Sequence, residues 1–155
     1  MWFSKVLHID AKQFDNPLDP EVKIIAYDRL MNFMQATKKN AQIAGVNKLI
    51  YISRADIEWL DTKQEEKSID NIVTRMPSLS KTFDKKGAEK LYKEFFYQAE
   101  FILADKGKIA FIIENDEFFK ECLGRIKEMQ KFKITEEREV MQGKRMLKMI
   151  VMKKV

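Results

Sequence analysis

The stretch Asp70–Ser80, with the sequence DNIVTRMPSLS, decides the fold of this chain of 155 residues. Ile72 and Val73 belong to a short apolar run that is typical of a β-strand, and Pro77 follows in a segment that is typical of a loop. The stretch therefore lies where a strand ends and a loop begins. Ligands of open α/β sheets bind beyond the carboxyl ends of the strands, so this loop is a candidate site.

On both sides of this stretch, short apolar runs alternate with helical patterns. Strands are predicted at residues 3–9, 22–27, 48–52, 69–74 and 108–113, and helices at residues 30–44, 86–104 and 115–129. Gly45 is predicted to end the first helix, and Asn115 to cap the third. The alternation predicts right-handed βαβ units and a mostly parallel sheet within a single α/β domain spanning residues 1–155.

The last quarter of the chain has a different pattern. Residues 132–141 and 145–152 are predicted to form two antiparallel strands joined at Gln142-Gly143. Residues 120–155 are also basic, with 11 Lys and Arg against 5 Asp and Glu. This charge is compatible with nucleic-acid contact, and Lys144, Arg145 and Lys148 are predicted to bind RNA. A solvated, lysine-rich surface is the alternative.

The composition argues against several classes of protein. The chain is 45% hydrophobic and 34% charged, which is typical of a globular protein, and no apolar run approaches the roughly 20 residues that span a membrane. No signal peptide is predicted at its start. Cys122 is the only cysteine, which fits a reducing, cytoplasmic setting. With a single histidine as well, a zinc or other metal site and a histidine-dependent hydrolase are not expected.

The segment Asp28–Val46, DRLMNFMQATKKNAQIAGV, carries the first resemblance to a known family. SAM-dependent RNA methylases have an Asp-Ile-Asp pattern, then a helix, then Asn-Ala-x-x-Ala-Gly-Val, and Asn40 follows Asp28 here by the same twelve positions. Leu30 stands where the second acid would be. The resemblance implies that Asp28 accepts the ribose hydroxyls of SAM; a helix N-cap is the alternative.

A second match lies in ISRADIEWL, which resembles the Gly-Asp-Ala-x-x-Leu pattern of the same family. The resemblance implies that Asp56 receives the adenine amino group of SAM. Another helix N-cap is the alternative for this residue.

The third match is the stretch Asp70–Ser80 itself. In the family, a strand of the type Asp-x-Ile-Val-Thr leads into Asn-Pro-Pro-Tyr or Asn-Pro-Pro-Phe, and here the catalytic-loop positions are Arg75, Met76, Pro77 and Ser78. Guanidinium has no acceptor for a target amine. Ser78 has no ring to stack on a base. Pro77 is retained and is expected to hold Met76 extended.

Together these residues resemble the THUMP-associated RNA methylases that modify guanine N2, over residues 24–153. The resemblance implies a Rossmann-like class I methyltransferase fold, with SAM as cofactor. The family's glycine-rich first motif has no counterpart, since residues 1–44 contain no glycine, and no separate THUMP domain is expected.

These features predict a degenerate methylase that is catalytically impaired alone, binds SAM poorly and serves as an RNA-associated or partner-binding module. A homodimer or a partner chain is expected to cover the sheet. The alternatives are an active RNA methyltransferase completed by another chain, and a small-ligand or structural domain unrelated to RNA.

Overall fold

A computed structural model describes residues 22–155, and the strand predicted at residues 3–9 lies outside them. The contacts within the chain divide it into two compact units, one ending at Arg54 and the other running from Ala55 to Val155. A single domain over residues 1–155 stays a prediction.

The first unit contains one strand–helix–strand element. Strand β1 (Ile24–Asp28) and strand β2 (Ile50–Arg54) pair in parallel, and helix α1 (Met31–Ile43) joins them. The register aligns Asp28 with Arg54 at the carboxyl ends of the two strands. Gly45 has a φ of +74°, a left-handed conformation that glycine adopts without strain, and it ends the helix as predicted.

Helix α1 buries few of its apolar side chains. Of the apolar stripe, only Met34 and Ala41 are buried, whereas Phe33 is 52% exposed. A sheet of two strands presents a narrow surface, so within this unit it covers only part of the helix. Phe33 therefore lies outside the part of the helix that the two strands cover.

The second unit contains the rest of the described chain. Its elements are a 3₁₀ helix (Ile57–Trp59), α2 (Leu60–Lys63), β3 (Ile69–Arg75), α3 (Lys85–Ile102), β4 (Leu103–Ile113), α4 (Asp116–Arg125), α5 (Lys127–Gln130), β5 (Phe132–Gln142) and β6 (Arg145–Lys154). The strands form one sheet in the order β3-β4-β6-β5. Strands β3 and β4 are parallel, and β6 is antiparallel to both of its neighbours. The α/β class and the C-terminal hairpin are confirmed.

Two predicted elements differ in detail. The helix predicted at residues 115–129 is broken at Ile126, whose extended backbone (φ −90°, ψ 116°) separates α4 from α5. Strand β4 begins at Leu103, but its pairing with β3 is irregular before Lys108. The regular ladder therefore starts at Lys108, as the apolar run predicts.

An aromatic cluster forms the core of the second unit. The ring of Phe119 in α4 lies 4.9 Å from that of Phe111 in β4 and 5.6 Å from that of Tyr92 in α3. Phe96 and Phe132 extend the cluster toward β5. Such rings bury large apolar areas, so this cluster fixes α3 and α4 on one face of the sheet. Leu79 and Phe83, which follow β3 in the chain, pack against the same core.

No helix within residues 22–155 combines the length and the apolarity that crossing a bilayer requires.

Candidate functional site

The loop that follows β3 is anchored by a buried methionine. The backbone N–H of Met76 donates to the carbonyl oxygen of Ile112 over 3.0 Å, which continues the β3–β4 pairing by one residue. The side chain of Met76 is 3% exposed and lies in the core, whereas the next residue, Pro77, is exposed. The loop therefore leaves the sheet at Pro77, at the carboxyl end of β3.

Asn115 holds the same loop from the neighbouring strand. It occupies the N-cap position of α4, but its side chain makes no hydrogen bond to that helix. Its Oδ1 instead accepts a hydrogen bond from the backbone N–H of Leu79 over 3.3 Å. The predicted capping bond is therefore wrong, because the loop after β3 offers the donor that the side chain uses. Asn115 joins two loops at one edge of the sheet.

Arg75, the last residue of β3, points to a different element. Its guanidinium Nη1 donates to Oε1 of Gln142 over 2.9 Å, and Gln142 is the last residue of β5. The bond brings the tip of the β5–β6 hairpin to the carboxyl end of β3. Among the described residues Arg75 makes no ion pair. Its exposed guanidinium offers donors and no acceptor to whatever enters the loop.

The three residues predicted to bind RNA fall into two environments. Lys144 and Arg145 are exposed at the hairpin tip, beside Gly143, whose φ of +61° forms the turn. Neither makes an ion pair within residues 22–155. Their positive charge at the tip is therefore uncompensated in the described part of the chain.

Lys148 lies farther along β6 in a cluster of charges. Its Nζ is 2.9 Å from Oδ2 of Asp116, and Lys120 contacts the same carboxylate over 3.7 Å and Glu137 over 2.8 Å. The hydrogen bond from Lys148 holds the pKa of Asp116 below its ordinary value, and the same bond raises the pKa of Lys148. Lys148 therefore has its counter-charge within the protein, unlike the two residues at the tip.

Asp56 is the N-cap of the 3₁₀ helix, and its Oδ1 accepts from the backbone N–H of Ile57 over 2.7 Å. Its other carboxylate oxygen makes no hydrogen bond to a described residue. The capping alternative thus accounts for one oxygen of this carboxylate and leaves the second available.

Gln98 of α3 secures the segment that follows Asp56, and sequence reasoning missed it. Its side chain is 2% exposed, its Oε1 accepts from Asp61 N over 2.9 Å, and its Nε2 donates to Glu58 O over 3.3 Å. A buried amide with both ends satisfied fixes the backbone it contacts. In the sequence, the signal that could have identified Gln98 is its place as a polar residue within the apolar stripe of a helix.

Asp28 belongs to the first unit, at the carboxyl end of β1. Its Oδ1 accepts from the backbone N–H of Leu30 over 2.7 Å, whereas Leu30 itself occupies the N-cap position of α1. Asp28 therefore stabilises the turn before the helix with one oxygen. Its second oxygen makes no hydrogen bond to any residue in the described range.

A cavity of about 200 Å³ in the first unit is separate from Asp28. It is lined by Lys38, Gln42, Asn47, Ile50 and Ile52. Ile50 begins β2, and its partner in the parallel register is Ile24 at the start of β1. The cavity thus lies toward the amino ends of the strands, at the edge opposite Asp28.

Other reactive groups are sparse in the described residues. Within residues 22–155, no group of three His, Cys, Asp or Glu side chains is arranged to hold a metal ion. The thiol of Cys122 is buried, and burial raises its pKa, which favours the unreactive protonated form.

Comparison with known proteins gives matches to methyltransferases. A family model described as an RMKL-like methyltransferase domain matches residues 3–148. The tRNA (guanine(6)-N2)-methyltransferase of Methanocaldococcus jannaschii is 28% identical over 121 residues, which are 78% of this chain and 30% of that protein. The solved structure of TrmN from Thermus thermophilus is 24% identical, with a TM-score of 0.73 over 89% of this chain and 38% of that chain.

A provisionally assigned methyltransferase solved with SAH is 14% identical, with a TM-score of 0.70 over 99% of this chain and 40% of that chain. The family and sequence matches confirm the resemblance to RNA guanine-N2 methylases, and the structural matches confirm the class I methyltransferase fold. The chain spans between 30% and 40% of the length of these relatives.

Proposed function

We propose, because the chain belongs to the family of RMKL-like methyltransferase domains, that it is an RNA-associated methyltransferase-like module whose catalysis is impaired when it acts alone. The observation that carries the proposal is the chemistry at the end of β3. There the guanidinium of Arg75 stands at the position of the family's side-chain acceptor and bonds to Gln142.

SAM is the cofactor that membership of the family implies. Asp28 and Asp56 are the residues that would hold its nucleoside end, Asp28 at the ribose hydroxyls and Asp56 at the adenine amino group. In each carboxylate, one oxygen accepts a hydrogen bond from a local backbone N–H, and the other has no partner among residues 22–155. Two carboxylates with free oxygens suit the hydrogen-bond donors of a nucleoside.

The 155 residues of this chain provide poorer binding groups for the methionine end of SAM. Close approach of backbone amides to such a group usually needs glycine, and the chain contains none before Gly45. Binding of the whole cofactor is therefore expected to be weak in this chain alone.

Methyl transfer to an amine needs an acceptor that aims the nitrogen lone pair at the methyl group, and such positioning supplies much of the rate. Arg75 has only donors, and its positive charge repels the sulfonium of SAM. Ser78 adds no aromatic surface for a base. The loop keeps its anchoring through Met76 and Asn115, but these contacts hold its shape without supplying the missing acceptor.

The RNA part of the proposal is supported by the hairpin tip. Lys144 and Arg145 are exposed without ion pairs among the described residues, and the Arg75–Gln142 bond brings them close to the loop. Lysine and arginine side chains of this kind bind phosphates without regard to sequence. Lys148 contributes less, since Asp116 already neutralises it.

A partner chain or a second copy is the remaining part of the proposal. Val73 lies on the sheet face away from the core and is 80% exposed, and exposed apolar side chains of this size favour association when they adjoin others. The protein is proposed to act in the reducing cytoplasm, since Cys122 is its only cysteine and its thiol is buried.

The second candidate function is an active RNA methyltransferase that another chain completes. The retained Pro77 and the anchored loop favour it, since they keep the frame on which a supplied acceptor and glycine loop would act.

Transfer of radiolabelled methyl groups from SAM to bulk tRNA and ribosomal RNA tests the proposal. The purified chain is expected to give no incorporation above that of a heat-denatured sample. Turnover by the chain alone would overturn the proposal, and turnover that appears only with a second protein would favour the alternative.

A further inference from the structure

Three lysines lie directly opposite one another across three strands of the second unit's sheet. Lys108 of β4 pairs in register with Lys153 of β6, and Lys153 pairs with Lys133 of β5. All three side chains are exposed. We call Lys108, Lys153 and Lys133 the lysine row.

The lysine row lies on the face of the sheet away from the aromatic core. In a strand, neighbouring residues point to opposite faces. Ile109, Met152 and Phe132, which follow or precede the three lysines, are buried in the core. The lysines therefore share the opposite face, where Asn71 of β3 pairs with Lys108 and extends the row by one exposed amide.

The positive charges of the lysine row repel one another. Neighbouring strands are about 4.8 Å apart, so the backbone positions of adjacent lysines in the row lie within one Debye length at physiological salt, which is about 8 Å. Like charges directly opposite one another destabilise a sheet. The lysine row thus lowers the free energy of unfolding unless a bound anion supplies negative charge.

The nearby carboxylates do not neutralise the row. Glu136, on the same face of β5, forms its ion pair with Arg138, and Asp105 forms its ion pair with Lys67 over 2.9 Å. None of the three lysines makes an ion pair with a residue in the described range. Since no described carboxylate of the second unit pairs with the row, solution counterions or a bound anion supply its counter-charge.

We infer that the lysine row is a second RNA-binding site, which holds the phosphodiester backbone on the face of the sheet away from the aromatic core. The inference rests on the proposed RNA association and adds a site to it. It offers three ammonium groups, which only donate, and an amide, whose NH2 also donates, in a line that suits the repeated single charges of a phosphate backbone. The paired positions of the row in the described sheet include no aromatic residue, so contact to bases is not part of the site.

The row and the hairpin tip lie at opposite ends of the β5–β6 hairpin. Lys133 and Gln142 are nine positions apart in β5, a contour of roughly 30 Å at the rise of a strand. An RNA that contacts both sites therefore has to extend over several nucleotides.

Fluorescence anisotropy with a labelled oligouridylate, measured from about 50 to 200 mM salt, tests the inference. The triple variant K108Q/K133Q/K153Q is expected to bind more weakly and to reduce the slope of log K against log salt by about 2, since a single strand releases about 0.7 counterion per phosphate contact. The control K39Q/K86Q/K127Q removes the same charge from three exposed helical lysines. It is expected to keep the wild-type slope.

The outcomes separate the two proposals. Absence of RNA binding by the wild type at low salt would overturn both of them. Wild-type binding with an unchanged slope in the row variant would overturn the lysine row alone, as would equal losses in the row variant and the control. Binding of polyglutamate as tight as that of the oligouridylate, lost in the row variant, would assign the row to an acidic protein instead.

A stability measurement tests the premise without RNA. Lys153→Gln removes the central charge of the row, so it is expected to raise the melting temperature at low ionic strength. The gain is expected to vanish at high salt, where the repulsion is screened. A melting temperature that does not rise at low salt would show that the row is not strained and would overturn the inference.

Discussion

The guanidinium Nη1 of Arg75 lies 2.9 Å from Oε1 of Gln142, so the last residue of β3 is bonded to the tip of the β5–β6 hairpin. The partners are 67 residues apart in the chain. The residue that occupies the family's acceptor position thus serves as a link between the loop and the basic tip.

Changing Arg75→Asn is expected to leave methyl transfer undetectable. The substitution restores a side-chain acceptor to the loop, but the methionine end of SAM still lacks a glycine loop, and the bond to Gln142 is lost. The measurement is incorporation of labelled methyl groups into bulk tRNA, with Gln142→Ala as the control that breaks the same bond without adding an acceptor. Activity in Arg75→Asn alone would contradict this account, because it would show that the cofactor is already held.

Neutralising the hairpin tip is expected to weaken RNA binding. The double variant K144Q/R145Q removes two uncompensated charges, so the salt slope for single-stranded RNA is expected to fall by about 1.4. Lys148→Gln is expected to change the slope less, since Asp116 already pairs with that lysine. Anisotropy titrations at several salt concentrations measure both. A larger effect of Lys148→Gln than of the double variant would refute the assignment of the tip.

The hydrogen bond from Leu79 N to Asn115 Oδ1 is expected to restrain the loop. Asn115→Ala removes the acceptor and is expected to cost about 1 kcal/mol and to speed hydrogen exchange at residues 78–80. Asn115→Asp keeps an oxygen at the same position and is expected to restore much of the protection. Exchange followed by mass spectrometry measures the loop directly. Equal protection in the wild type and Asn115→Ala would show that the loop does not depend on this bond.

The pair of Asp116 and Lys148 predicts a dependence of stability on pH. The pKa of Asp116 is lowered in the fold from 3.8, so its contribution is present above that value and is lost as the pH falls through the folded pKa. The pKa of Lys148 is raised from 10.5, so its contribution is present below that value and is lost as the pH rises through the folded pKa.

Lys148→Met is therefore expected to lower the melting temperature most between about pH 4 and 10, with the deficit shrinking as acid protonates Asp116. Lys127→Met, at an exposed lysine with no ion pair among the described residues, is the control and is expected to lack this dependence. Melting curves at pH 7 and pH 3 make the comparison. A deficit for Lys148→Met that is the same at both values would contradict the role of the pair.

Local patterns predicted most of the elements. The ends of β3 and of the β5–β6 hairpin lie within two residues of the predicted ends, because strand periodicity and the Pro77 and Gly143 breaks act over a few residues. Helix α4 ends just before Ile126, and the predicted helix continued past this point. The only residue near Ile126 that could have indicated the break is Gly124, two positions earlier.

The contacts that define the site were not predictable in this way. The bond of Asn115 joins residues 36 apart, and Gln98 joins its helix to a segment 37 residues away. Such pairings depend on how the strands are ordered in the sheet, and single-sequence patterns carry no direct information on it. For Asn115, the local rule for helix caps predicted the N-cap position correctly. It predicted the wrong hydrogen-bond partner, since the side chain bonds to Leu79 N and not to the helix.

Titration of the purified chain with SAM by calorimetry tests the central claim most directly. The isolated chain is expected to be catalytically impaired first of all because it binds its cofactor poorly. The account predicts no saturable heat at micromolar concentrations of SAM, with Asp28→Asn and Asp56→Asn indistinguishable from the wild type. Saturable binding in the low micromolar range that either substitution weakens would contradict the account. It would identify the chain as a domain that holds the cofactor by itself.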